Sequence, residues 1–220
     1  MTDPETTIDV ISDVVCPWCY LGKRRLERAL ALLPDRRIRV RWRPFRLDPT
    51  IPPEGIARDT YLTRKFGSVA AVAAAHGRLT ELGRAEGIDY RFEAIARSPS
   101  TIDAHRLIRW AAASDREDAM VERLFSAYFS DGLDIGEANV LVRLADDVGL
   151  SEADIARRLA GDGDRQEVID EVENAYRIGV SGVPTYVIDG QYGVVGAQPG
   201  ELLAQAIVQV AEPAAKTTGT

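Results

Sequence analysis

Ile8-Asp9-Val10-Ile11-Ser12-Asp13-Val14-Val15-Cys16-Pro17-Trp18-Cys19-Tyr20-Leu21-Gly22-Lys23 is the stretch that decides how this chain is read. Its two cysteines are the only ones among 220 residues. The apolar run from Ile8 to Ile11 predicts a buried strand. Leu26, Ala29, Leu30 and Leu33 then recur at helical spacing, which predicts a helix from Trp18 to Leu33, ended near Pro34. The dithiol therefore sits where a strand hands over to a helix.

That position has a chemical logic. A helix beginning at Cys16 leaves backbone N–H groups unsatisfied there and puts the positive end of its dipole beside the sulfur, so a thiolate is stabilised. Cys19 falls three residues on, on the same face of the first turn, where the two sulfurs can close a disulfide without moving the backbone. This makes Cys16, at an exposed helix tip, the attacking sulfur. Cys19, one turn inward, is the shielded, resolving thiol. Asp13, three residues before Cys16, is placed either to cap the helix or to relay a proton to Cys19. Zinc would need four ligands, and the two histidines, His76 and His105, are distant in sequence, so no metal is expected. A purely structural bridge across four residues would constrain the unfolded chain very little.

A second signal lies far downstream. Thr185 to Ile188 is rich in strand-forming residues, Asp189-Gly190 is a two-residue hairpin turn, and Tyr192 to Val195 returns. Pro184 opens the first of these strands, where it removes no interior ladder bond. Ile38, Val40 and Trp42 alternate with Arg39, Arg41 and Arg43, a period-two strand with one charged face. Between these strands, from about residue 58 to 178, the apolar pattern is helical throughout. The stripes are Leu107-Ile108-Ala111, Met120-Leu124-Phe125-Tyr128 and Val140-Leu141-Leu144-Val148, and a capping box at Ser151 opens another helix. Leu202, Leu203, Ala206, Ile207 and Val210 mark a last amphipathic helix, and the tail from Glu212 to Thr220 is expected to fray. The expected order is β-α-β, helical insertion, β-β-α. This is an α/β chain with a thioredoxin-like core in two parts, residues 1–57 and 179–220, around an all-helical insertion domain, residues 58–178.

Composition narrows the partners. The net charge of −7 argues against nucleic acid or an anionic membrane, and Lys23-Arg24-Arg25 and Arg36-Arg37 read as solvated surface. No run approaches the length of a membrane-spanning helix. The first residues, Met1 to Thr7, carry neither a basic nor an apolar leader region, so a cytoplasmic location is expected. Disulfides in that compartment are usually catalytic or redox-sensing.

The segment Ser12 to Lys23 resembles the active-site signature of the DsbA-like thioredoxin-fold oxidoreductases, in particular their FrnE-like branch. Arg43-Pro44-Phe45, Ala104-His105-Arg106-Leu107, Ala127-Tyr128-Phe129, Gly179 to Pro184 and Gly196-Ala197-Gln198-Pro199 are also similar, and the likeness covers nearly the whole chain. The resemblance implies that the Val183–Pro184 bond is cis, and that Pro184 packs beside the Cys-x-x-Cys pair. It also implies that Val183 offers its backbone to an extended substrate. Pro17 and Trp18 become substrate-contact candidates, with Trp18 equally able to be a packed residue. His105 becomes a residue that could reach the cleft from the insertion.

The expected activity is dithiol–disulfide exchange in the cytoplasm on a protein or small-molecule thiol or disulfide. It needs no metal or organic cofactor, with glutathione as a candidate redox partner. Two other classes are weighed. One is a glutathione-dependent isomerase or transferase of the hydroxychromene-carboxylate isomerase or kappa-class type; those place serine at the first cysteine position, unlike Cys16. The other is a non-enzymatic module whose helical insertion docks a partner.

The strongly oxidising relatives carry histidine between their cysteines, whereas Trp18 brings no charge. The expected reduction potential lies between about −270 mV, the thioredoxin value, and about −120 mV, that of DsbA, nearer the former. Equilibration against a glutathione buffer measures it. Trp18→His should raise the potential, and an unchanged value would refute the charge argument.

Overall fold

The computed structural model describes residues 5–211, so the tail from Glu212 onward lies outside it. Strand β1 (Thr6–Ser12) leads through the Cys-x-x-Cys turn into helix α1 (Pro17–Ala31), and β2 (Ile38–Pro44) follows. After the insertion come β5 (Thr185–Ile188), β6 (Tyr192–Val195) and α9 (Gly200–Ala211). They form one sheet in the order β2-β1-β5-β6. Strand β1 runs parallel to β2 and antiparallel to β5. The apolar strand is thus central, and the arginine-bearing strand takes an edge, where Arg41 and Arg43 both reach Asp9 of β1. Asp189 and Gly190 both take positive φ, the backbone a tight hairpin turn requires.

The insertion holds α2 (Arg58–Phe66), α3 (Val69–Ala85), α4 (Ile102–Ala112), α5 (Glu117–Phe129), α6 (Ala138–Asp147), α7 (Glu152–Leu159) and α8 (Arg165–Arg177). Ser151 caps α7, its hydroxyl accepting from the Asp154 N–H. One detail departs from an all-helical insertion. A two-residue strand β3 (Ile56–Ala57) pairs with β4 (Arg97–Ser98), clamping the entrance of α2 to the loop before α4. Two residues give no periodicity to read.

The insertion shares its core with the sheet. Tyr20 of α1 stacks on Phe125 of α5 at 5.0 Å and meets Tyr90 edge-on at 5.9 Å, and Tyr90 and Phe92 meet Phe129 in turn. Each such pair adds ~0.5–1.5 kcal/mol beyond the area it buries. Beside them Lys23 is only 1% exposed, against the expectation of a solvated basic cluster. Its ammonium lies 2.9 Å from Asp118, contacts Glu27 and lies 3.5 Å from Glu122. Burial works against its charge, but the Asp118 and Glu27 carboxylates outweigh it and hold the pKa above the usual lysine value. The ion cluster thus ties α1 to α5.

Gly22 is where α1 passes β5. A Cβ there would stand 2.5 Å from the Tyr186 hydroxyl and 2.7 Å from Cγ of Pro184. Gly22→Ala must push the helix off the strand. It should cost ~1–3 kcal/mol, the usual cost of overpacking a core. Chemical denaturation should show an earlier midpoint than for the parent; an unchanged midpoint would mean the two elements are not tightly seated.

Candidate active site

Cys16 is the N-cap of α1, with Pro17 at the first helical position, where its missing N–H costs nothing. The Cys16 N–H donates to the Asp13 carbonyl at 2.9 Å, and the Cys16 carbonyl accepts from the N–H groups of Cys19 at 3.0 Å and Tyr20 at 3.3 Å. The turn is therefore built by its own backbone. Asp13 makes no cap. Its Oδ2 accepts from the Leu47 N–H at 2.8 Å and its Oδ1 lies 3.6 Å from Nε2 of His105.

Both cysteines are free thiols. Cys19 is 1% exposed, but Cys16 is only 3% exposed, which corrects the expectation of a sulfur bared at the helix tip. The Val183–Pro184 bond is cis, and the Cys16 Sγ donates to the Val183 carbonyl at 3.7 Å. The segment before β5 thus lies against the sulfur. From the insertion side, the Tyr90 hydroxyl donates to the Pro17 carbonyl at 2.5 Å. Burial, and then the charge available at Cys16, pushes the Tyr90 pKa upward and keeps it a neutral donor. Tyr186 is buried with an unpartnered hydroxyl, and burial followed by the nearby Cys19 raises its pKa too.

The two sulfurs differ electrostatically. Burial pushes the Cys19 thiol well above the usual thiol range, and the hydrogen bond and charge of Cys16 push it further. The Ser12 hydroxyl and the Asp13 backbone oppose this. Cys19 therefore stays protonated until something beside it takes the proton.

The outer face carries Trp18, 36% exposed, with the Arg78 guanidinium of α3 5.9 Å from its ring centre. Val183 is partly buried against the cluster of Ile11, Phe45 and Ala175, and Phe45 packs on the exposed Tyr176 at 4.7 Å. Cys16, Cys19, Pro17, Trp18, Val183 and Pro184 are accordingly gathered in one place. His105 is buried, 5% exposed, and its Nε2 donates to the Phe45 carbonyl at 3.0 Å. The amphipathic spacing of α4 turns that position inward. Sequence reasoning missed Ser12, Tyr90, Tyr186 and Arg78. Of these only Ser12, the last residue of β1, carried a signal, its adjacency to the Cys-x-x-Cys turn. Among the described residues no group of three or more His, Cys, Asp or Glu is placed to hold a metal ion.

The family description DSBA-like thioredoxin domain matches residues 7–208, so the chain belongs to that family, a class of thiol–disulfide oxidoreductases. Among solved structures it is similar to a probable DsbA oxidoreductase from Streptomyces coelicolor. The two are 35% identical with a TM-score of 0.85, over 93% of this chain and 89% of that one. A 2-hydroxychromene-2-carboxylate isomerase shares the fold at 15% identity and a TM-score of 0.71, over 93% and 95% of the two chains. The cytosolic disulfide reductase DsbM of Pseudomonas aeruginosa, solved with GSH, shares it at 21% identity and a TM-score of 0.65, over 93% and 98%.

In the reduced protein, substoichiometric iodoacetamide near pH 7 should alkylate Cys16 at least about ten times faster than Cys19, because only the thiolate reacts. Peptide mapping reads the ratio. Equal rates, or faster labelling of Cys19, would reverse the assignment.

Proposed function

We propose that this protein is a cytoplasmic dithiol–disulfide oxidoreductase working through Cys16-Pro17-Trp18-Cys19. The observation that carries the reading is the meeting of Cys16, at the N-cap of α1, with the carbonyl of Val183 just before the cis Pro184, while Cys19 is buried and burial pushes its thiol pKa up. Cys16 thiolate attacks a substrate disulfide and a mixed disulfide forms. Cys19 then loses its proton, attacks Cys16 and releases the reduced substrate. The reverse sequence oxidises a dithiol. The chemistry requires no metal or organic cofactor.

The Val183 carbonyl is a ready acceptor for an extended substrate backbone. Once a substrate sulfur is bonded to Cys16, the thiol no longer donates to that carbonyl, and a substrate N–H can replace it. Trp18 supplies an exposed apolar platform beside the attacking sulfur. The GSH bound to DsbM supports glutathione as the small thiol that recycles the pair, and the cytosolic setting of that protein supports the cytoplasmic placement. Among the described residues no helix is long and apolar enough to cross a membrane. The signature from Ser12 to Lys23 supports the FrnE-like branch.

A second reading, glutathione-dependent isomerisation, is supported by the shared fold of the isomerase and opposed by the thiol at position 16. The two separate cleanly. Cys16→Ser should abolish glutathione-coupled reduction of a disulfide such as insulin down to the uncatalysed rate. A Cys16→Ser protein that binds glutathione and turns over a hydroxychromene carboxylate would establish the isomerase instead.

A further inference from the structure

The hydrogen bond from the Tyr90 hydroxyl to the Pro17 carbonyl joins residues 73 positions apart, one in the insertion and one in the Cys-x-x-Cys turn. That carbonyl and the Trp18 N–H are the two ends of one planar peptide unit. Trp18 is the second residue of α1, and its N–H is one of the first-turn donors that no helical carbonyl can satisfy. A donor at this position is the kind an N-cap side chain accepts from. In the thiol form, the Cys16 Sγ makes no cap bond and donates to the Val183 carbonyl instead. Ionised, it has no proton to donate and turns acceptor at the N-cap, where the Trp18 N–H is the donor of the adjoining peptide. A donor on the carbonyl of that same peptide polarises its N–H and strengthens the bond to the sulfur.

Tyr90 is held in place for this contact. It is 5% exposed, and its ring stacks on Phe92 at 5.0 Å and meets Phe129 and Tyr20 edge-on at 5.5 Å and 5.9 Å. Helix α3 passes so close that a Cβ at Gly83 would stand 2.4 Å from the ring. The backbone is tied as well, since the Arg91 N–H donates to the Phe129 carbonyl at 2.8 Å. Packing within the insertion therefore decides where the hydroxyl sits, and the turn meets a fixed donor.

We propose that Tyr90 is a positioning residue for the attacking thiol: by holding and polarising the Pro17–Trp18 peptide it stabilises the Cys16 thiolate. Because a stabilised thiolate favours the reduced form, the hydroxyl also makes the disulfide more oxidising than the helix end alone would. The proposal rests on the dithiol reading above and adds to it a residue outside the thioredoxin-like core.

The test compares the full chain with Tyr90→Phe, which keeps the ring and its packing and loses the hydroxyl. Two quantities are read: the pH profile of Cys16 alkylation by iodoacetamide, and the equilibrium constant for oxidation in a glutathione buffer. Tyr90→Phe should move the midpoint of the profile to higher pH while its high-pH plateau, which reports access to the sulfur, stays within about twofold of the parent's. The equilibrium should move about two- to fivefold toward the protein disulfide, corresponding to the roughly 10–30% that a polarising partner adds to a charge-assisted hydrogen bond. An unmoved midpoint with an unchanged equilibrium constant would overturn the proposal. So would a changed plateau with an unmoved midpoint, which would make Tyr90 a packing residue that only governs access. A parent chain that forms no Cys16–Cys19 disulfide at any ratio of oxidised to reduced glutathione would instead refute the dithiol reading itself.

Discussion

Close approach of helix α1 to the start of β5 is the constraint on which the rest depends. Two segments more than 160 residues apart in the chain meet there, and the meeting tolerates no side chain at position 22. The contact puts the N-cap sulfur of α1 against the carbonyl of Val183, and it sets Tyr186 beside Cys19. The sheet supplies the rigidity. Strand β1, which delivers the Cys-x-x-Cys turn, and β5, which follows Pro184, are directly paired neighbours, so neither partner of the site moves without the other.

The helical insertion completes what the sheet cannot. Tyr90 fastens the Pro17 carbonyl, the aromatic cluster around Tyr20 and Phe129 walls the first turn of α1, and the Lys23 cluster locks its second turn to α5. Burial is therefore imposed on Cys19 from both layers, and that burial separates the two thiols chemically. A buried lysine among three carboxylates contributes less net stability than its contacts suggest, because desolvation offsets most of the attraction. Its value here lies in fixing the rotation of α1, and with it the direction in which both sulfurs point.

Much of this was legible in the sequence where local rules act alone. The strand–dithiol–helix order, the Asp189-Gly190 hairpin, the Ser151 cap and the helical stripes of the insertion all follow from nearest-neighbour periodicity and turn chemistry. The cis bond at Pro184 came through resemblance, since composition gives no access to it. What stayed hidden depends on contacts between distant segments. Cys16 loses its exposure to Val183 and its neighbours, Lys23 to α5, and His105 to Phe45 and Asp13. Asp13 belongs with them: the sequence leaves it between a helix cap and a proton relay, and its Oδ2 accepts from the distant Leu47 N–H.

The central claim is that Cys16 alone engages the substrate disulfide and Cys19 alone releases it. Its most direct measurement is a trapping experiment with a Cys19→Ser chain expressed in a bacterial cytoplasm, quenched in acid and resolved by non-reducing electrophoresis and mass spectrometry. The account gives stable mixed disulfides joined through Cys16, absent from the parent chain and from a Cys16→Ser,Cys19→Ser double variant. A Cys19→Ser chain that accumulates no Cys16 adduct, in cells or with added oxidised glutathione, would contradict it.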